Sequence, residues 1–188
     1  IFKKMISKSK SKSNKLPEIH KFKNLSLEIR FIVCCIINDL KNGLKKKDIG
    51  ILCRNNLPLY FIEEQLQIAN IKNKILNSES IIGNSISLST IHSSKGLEWN
   101  KIYLVGMNNS YFPNQKSDIN EERRLFYVAV TRAKSDLIIT FNENDNCSIL
   151  LTELDDCLFK KEFMFQQLIN NLVSKLPAND KINTVTNI

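Results

Sequence analysis

The strongest constraint on the fold is an alternation of two patterns along the chain. Short and nearly unbroken apolar runs of strand length are separated by stretches whose apolar residues recur at helical spacing. Residues 48–53 (DIGILC), 86–91 (ISLSTI), 101–107 (KIYLVGM) and 136–141 (DLIITF) read as strands, and 18–22 and 71–76 are further strand candidates. Residues 26–44 place Ile29, Ile32, Val33, Ile36, Ile37 and Leu40 on one helical stripe, with Gly43 as a stop. Residues 57–69 and 119–133 repeat that pattern. A strand apolar along its whole length is buried on both faces, and strands joined through helices run parallel. The expected fold is therefore a three-layer α/β domain, with a mostly parallel sheet covered by helices on both sides.

Charge is unevenly distributed. Residues 1–48 hold 13 Lys and Arg against 4 Asp and Glu, a charge of +9, whereas residues 49–188 hold 14 against 15. A basic segment beside a neutral body suits an anionic partner such as nucleic acid, and a solvated lysine tail gives the same count. Both readings stay open on charge alone. The five cysteines form no CxxC pair, and with only two histidines the spacing of a zinc site is missing. Reduced thiols in a reducing, cytoplasmic compartment are expected, with no metal site. The longest apolar stretch, residues 31–37, is too short to cross a bilayer, so no membrane partner is expected.

The chain starts at Ile1 rather than Met, which reads as a fragment or a processed product. Three regions are expected. Residues 1–16 form a basic flexible lead-in, 17–155 the α/β body, and 156–188 a helical or disordered tail. Within the tail, apolar residues at helical spacing between 150 and 176 predict helices on the flank of the sheet or a partner-binding helix.

Two stretches carry chemistry. TIHSSKGLEW, residues 90–99, sets a hydroxyl, an imidazole, two further serines, a lysine and a carboxylate directly after a strand, where α/β proteins place ligand-handling groups. It is not a GxxxxGK[ST] phosphate cradle, and no such cradle occurs in the chain. EERRLFYVAVTRAK, residues 121–134, puts Leu125, Val128 and Ala129 on an apolar helix face and Arg132 at the helix end. An arginine there either forks onto a phosphate across an interface or caps the last carbonyls of its own helix.

Taken in order, TIHSSKGLEW, then Tyr111-Phe112-Pro113, then EERRLFYVAVTRAK strongly resemble motifs V and VI of UvrD/Rep/PcrA-type superfamily 1 DNA helicases. DIGILCRNNLPLYFIEEQL resembles the motif IV segment of that group, and the resemblance covers about residues 18–155. It implies the second of two RecA-like lobes, P-loop NTPase-like but without its own Walker A motif. It also implies ATP with Mg2+ held mainly by an N-terminal ATP-binding lobe outside this chain, and single-stranded DNA as the partner.

By resemblance, Arg54 and Arg132 would reach the γ-phosphate as catalytic arginines, while Glu98 would bind the ribose, with Gly96 beside it. Thr90, His92 and Ser93 would hold DNA phosphates. Lys95 has two readings, a DNA phosphate or a carboxylate within the lobe. Trp99 reads as core or as a base-stacking ring, and Glu121, Glu122, Arg123 and Arg124 as a mostly solvated charged turn without a catalytic role, in which one arginine can tie the lobe together. The implied function is ATP-driven 3′-to-5′ movement on DNA in replication or repair. A non-catalytic nucleic-acid-binding subunit and a subunit of a helicase-nuclease complex are the alternatives. One departure stands out: the group inserts a large helical subdomain between motifs IV and V, and here only about fifteen residues, 71–85, join them.

Overall fold

A computed structural model describes residues 16–77, 83–143 and 146–154, together with the backbone of a strand at 160–162. The lead-in at 1–15 and most of the tail lie outside the described residues. The order of elements is β1 (Glu18–Phe22), α1 (Leu25–Lys41), a 3-10 turn (Lys46–Asp48), β2 (Ile49–Cys53), α2 (Leu57–Ile68), β3 (Asn73–Ile75) and β4 (Ile86–Thr90). There follow β5 (Trp99–Val105), α3 (Ile119–Val130), β6 (Ala133–Asn142), α4 (Ile149–Thr152) and β7 (Lys160–Glu162).

The strands form one sheet in the order β3-β4-β2-β5-β6-β1-β7, and each pairing between them is parallel. The two central strands show why. In β2, Ile49, Ile51 and Cys53 enter one apolar cluster and Leu52 the other; in β5, Tyr103 and Val105 face the first, and Trp99, Ile102 and Leu104 the second. Successive side chains point to opposite faces, so an unbroken apolar run fills two cores at once. Helices α1 and α2 cover the first face through Ile29, Ile32, Ile36, Leu59, Ile62 and Leu66. On the second, Phe126 and Ala129 of α3 and Leu150 and Leu151 of α4 complete the layer.

Polar details fix the ends. The Asn24 side chain caps α1 by accepting from the Leu27 amide at 3.0 Å, and the Asp118 side chain caps α3 by accepting from the Asn120 amide at 2.6 Å. Asp39 at the end of α1 accepts from Lys101 Nζ at 2.7 Å and from the Tyr103 hydroxyl at 2.5 Å, tying that helix to β5. Gly50 lies under the Trp99 ring so closely that a Cβ there would stand 2.6 Å from Trp99 Cδ2. Trp99 is thus core, as its sequence context suggested.

Two expectations need correction. Residues 160–162 form a parallel edge strand beside β1 where helices were expected. On α3 the fully buried stripe is Glu122, Phe126 and Ala129, while Leu125 and Val128 pack at its margin.

Candidate nucleic-acid and nucleotide edges

All strands point the same way, so residues that follow a strand gather at one edge of the sheet and residues that precede one gather at the other. Arg54 follows β2 and Thr90 ends β4, strands that lie side by side with Cys53 opposite Thr90. Beside them runs the loop after β5. Together they enclose a cavity of about 430 Å³ lined by Arg54, Asn55, Asn56, Thr90, His92, Ser110, Tyr111 and Asn114. The lining holds one cationic side chain, hydroxyls, amides and an imidazole, and no carboxylate. Such a surface suits an anion that accepts hydrogen bonds, phosphate above all.

The turn after β4 is shaped by its own hydroxyls. Thr90 Oγ1 accepts from the Ser93 amide at 3.2 Å and donates to Ser93 Oγ at 3.1 Å. The buried Ser94 hydroxyl donates to the Ile91 carbonyl at 2.7 Å. These contacts hold the turn while His92 and Lys95 remain exposed. Ser93, Lys95 and Gly96 do not line the cavity, although Ser93 is bonded to Thr90, which does.

Arg54 is held by a residue read from the sequence as part of a solvated turn. Its Nε and Nη2 each donate at 2.9 Å to the two carboxylate oxygens of Glu122, which also accepts from the Asn114 amide at 2.9 Å. Glu122 is buried, with its side chain 3% exposed and that of Arg54 15%. Burial pushes the Glu122 carboxyl up, but the hydrogen bonds from Arg54 and Asn114 outweigh it and leave the group below the usual carboxylate range. The Glu122 signal was present in the sequence: it precedes Phe126 and Ala129 by four and seven residues, on the buried stripe of α3.

Arg132 stands elsewhere. It precedes β6, whose first residue Ala133 is paired with Trp99 at the start of β5, whereas Arg54 follows Cys53, paired with Val105 at the end of β5. Six residue steps of β5 separate the two levels, about 20 Å. Arg132 Nε donates to the Val128 carbonyl at 3.1 Å and Nη1 to the Leu97 carbonyl at 3.3 Å, while Nη2 has no partner among the described residues. Glu98, exposed on the same edge, lies 3.7 Å from Lys134. Arg54 and Arg132, expected from the sequence at one γ-phosphate, thus stand at opposite edges of the sheet in this lobe. A residue leaving a strand and a residue entering one emerge at opposite edges of a parallel sheet.

Residues 62–144 match the UvrD-like helicase C-terminal domain family. The chain carries a UvrD-like helicase C-terminal domain. Its curated relatives include the ATP-dependent DNA helicase Rep of Buchnera aphidicola subsp. Schizaphis graminum, 38% identical over 109 residues, which are 56% of this chain and 17% of that protein. A probable DNA helicase II homolog of Mycoplasma capricolum is 35% identical over 134 residues, 67% of this chain and 18% of the relative. This helicase domain thus spans less than a fifth of the length of those relatives.

Among solved structures, the C-terminal domain of a possible DNA helicase from Lactobacillus plantarum WCFS1 superimposes with a TM-score of 0.64 at 16% identity. The match covers 78% of this chain and 85% of that one, and it shows the RecA-like helicase-lobe fold. Among the described residues no helix is long and apolar enough to cross a membrane, and no cluster of three His, Cys, Asp or Glu could hold a metal.

Proposed function

We propose that the chain is the C-terminal motor lobe of an ATP-dependent DNA helicase or translocase, moving 3′ to 5′ on single-stranded DNA in replication or repair. The observation that carries the reading is the sorting of the motif residues onto two edges of one sheet. The edge where strands end presents the carboxylate-free cavity with Thr90 and His92, and Ser93 and Lys95 follow in the same turn. There the chain binds the phosphates of a single strand, with Asn55, Asn56, Ser110 and Asn114 as further hydrogen-bonding groups. Arg54 belongs to this edge, its guanidinium holding the wall through Glu122.

The edge where strands begin faces the nucleotide. Two carbonyls hold Nε and Nη1 of Arg132, and its Nη2, without a partner among the described residues, is the donor left for a phosphate. Glu98 supplies an exposed carboxylate that can accept from a ribose hydroxyl, and Gly96 keeps the approach open, with nothing within 4 Å of where its Cβ would stand. These residues fit the rim of a nucleotide site and no more, because the sequence has no GxxxxGK[ST] cradle and the described residues form no carboxylate cluster for Mg2+. ATP, when bound, supplies the phosphoryl group that is transferred to water. The cradle and the metal ligands belong to an N-terminal lobe, and this lobe contributes the positive charge of Arg132 at the facing wall.

In the full-length protein, Arg132→Ala is expected to abolish DNA-stimulated ATP hydrolysis while single-stranded DNA affinity stays within about twofold, a change of roughly 0.4 kcal/mol. A steady-state ATPase assay with and without single-stranded DNA, beside anisotropy binding, measures both. Unchanged turnover would remove Arg132 from the reaction.

A further inference from the structure

The cavity edge has a support that none of the motif residues supplies. Glu28, in the first turn of α1, is fully buried and does not itself line the cavity. Its Oε1 accepts from the Gly106 amide at 2.9 Å and from the Thr140 hydroxyl at 2.6 Å, and its Oε2 accepts from Asn142 Nδ2 at 2.9 Å. Gly106 is the first residue after β5, with φ at +73°, a conformation that favours glycine and that turns its N–H toward the carboxylate. The same knot continues through Asn108. Its Nδ2 donates to the Asn142 carbonyl at 2.5 Å, and its Oδ1 accepts from the Asn142 amide at 3.2 Å.

We infer that Glu28 is the positioning residue of the nucleic-acid cavity: it fixes the exit of β5, and through Gly106 and Asn108 the loop that carries Ser110, Tyr111 and Asn114 into the cavity wall. The inference rests on the reading of that cavity as a single-strand site.

Three features support a positioning role over a purely packing one. A carboxylate is costly to bury, and an apolar residue would fill the same space between two apolar layers with less penalty. Each acceptor bond goes to the β5 exit or to the end of β6 beside it, so the group organises one edge rather than the core at large. Finally, the loop it holds carries three of the eight lining residues. Buried Met107 and Phe112 also hold this loop, and the Glu28 bonds add a fixed direction to its first residues; without them binding would have to order the exit of β5 at each encounter.

The test uses the full-length protein with Glu28→Leu, which removes both acceptors, and Glu28→Gln, which keeps one oxygen for Gly106 and Thr140. Amide hydrogen exchange over residues 106–114 is expected to rise about tenfold in Glu28→Leu, with a smaller rise in Glu28→Gln, while α2 stays protected. Affinity for a fluorescein-labelled oligothymidylate, measured well below the melting transition, is expected to fall about tenfold in parallel. A merely structural role would lower the melting temperature and leave that affinity unchanged, and it would overturn the proposal. Should Glu28→Leu not fold, Glu28→Gln decides by the same two readouts.

His92→Ala separates the two levels of the claim. If it weakens oligothymidylate binding and the Glu28 variants do not, Glu28 has no positioning role although the cavity reading stands. If neither His92→Ala nor the Glu28 variants weaken binding, the cavity itself is not the nucleic-acid site, and the inference falls with it.

Discussion

Replacing Glu122 by Gln tests the structural account at its most loaded polar contact. The carboxylate receives three hydrogen bonds of 2.9 Å, two from Arg54 and one from the Asn114 amide. Gln keeps the volume and one acceptor oxygen, but it sets an NH2 group against a guanidinium N–H and removes the negative charge. Removing one partner of a buried ion pair costs about 3–5 kcal/mol, because a desolvated charge is left behind. Arg54 lines a cavity that admits water, so part of that penalty is relieved and about 3 kcal/mol is expected. For a domain of this size, roughly 2–4 °C per kcal/mol places the fall in melting temperature at about 6–12 °C.

A double-mutant cycle with Arg54→Met isolates the pair. Each single change leaves a partner stranded and the double does not, so the double is expected to cost about 2 kcal/mol less than the sum of the singles. Acidity provides a second arm. Glu122 is held below its ordinary value of 4.5, so the stability it contributes is present above that value and is lost as pH falls through the depressed one. Wild type should therefore lose stability more steeply below pH 4.5 than Glu122→Gln does. Urea unfolding across pH reads both arms. Additivity within about 0.5 kcal/mol, or a cost for Glu122→Gln under about 1 kcal/mol, would refute the claim that this pair joins β2 to α3.

Two further outcomes follow from the core. Gly50→Ala drives a methyl group to within 2.6 Å of the Trp99 ring, and since both neighbours are buried strand residues the cost is expected at about 1–3 kcal/mol in urea unfolding. Cys53 is fully buried, its thiol pushed well up by burial and then by the Glu28 carboxylate, whereas Cys34 is only partly buried. Iodoacetamide on the native protein is expected to label Cys34 and spare Cys53, read by peptide mass spectrometry; early labelling of Cys53 would contradict its placement in the sheet.

The layered fold was legible because burial on both faces erases polar alternation, and β2, β5 and the middle of β6 carry that mark, whereas β4 keeps its alternation with Ser87 and Ser89 buried. Helix α1 was equally plain from Ile29, Ile32, Val33 and Ile36. The loop residues at the cavity were less so. Ser110 and Asn114 have no periodicity to announce them, and their place depends on Glu28, 78 residues from Gly106 in sequence. Glu122 was misread because a run of four charges looks solvated, and nothing local reveals that Arg54, 68 residues earlier, comes to meet it. Strand β7 was missed for a related reason. Three charged residues pair with β1 only because the sheet edge is already there to receive them.

What sequence order conceals, strand direction explains. Thr90 and Glu98 stand eight residues apart in one motif, yet Thr90 closes β4 and Glu98 immediately precedes β5, so the short connection between them crosses from one edge of the sheet to the other. Helix α3 makes the same crossing in reverse. Glu122 at its start meets Arg54 beside the cavity, and Arg132 just past its end meets Leu97 on the opposite edge. Twelve helical residues rise about 18 Å, close to the length of β5. The motifs are therefore compact in sequence because each is a single traverse of the sheet, and a displacement at the cavity has a stiff route to the facing edge through α3. That route predicts that loosening Glu122 disturbs Arg132 more than it disturbs α2, which lies across the sheet on the other layer.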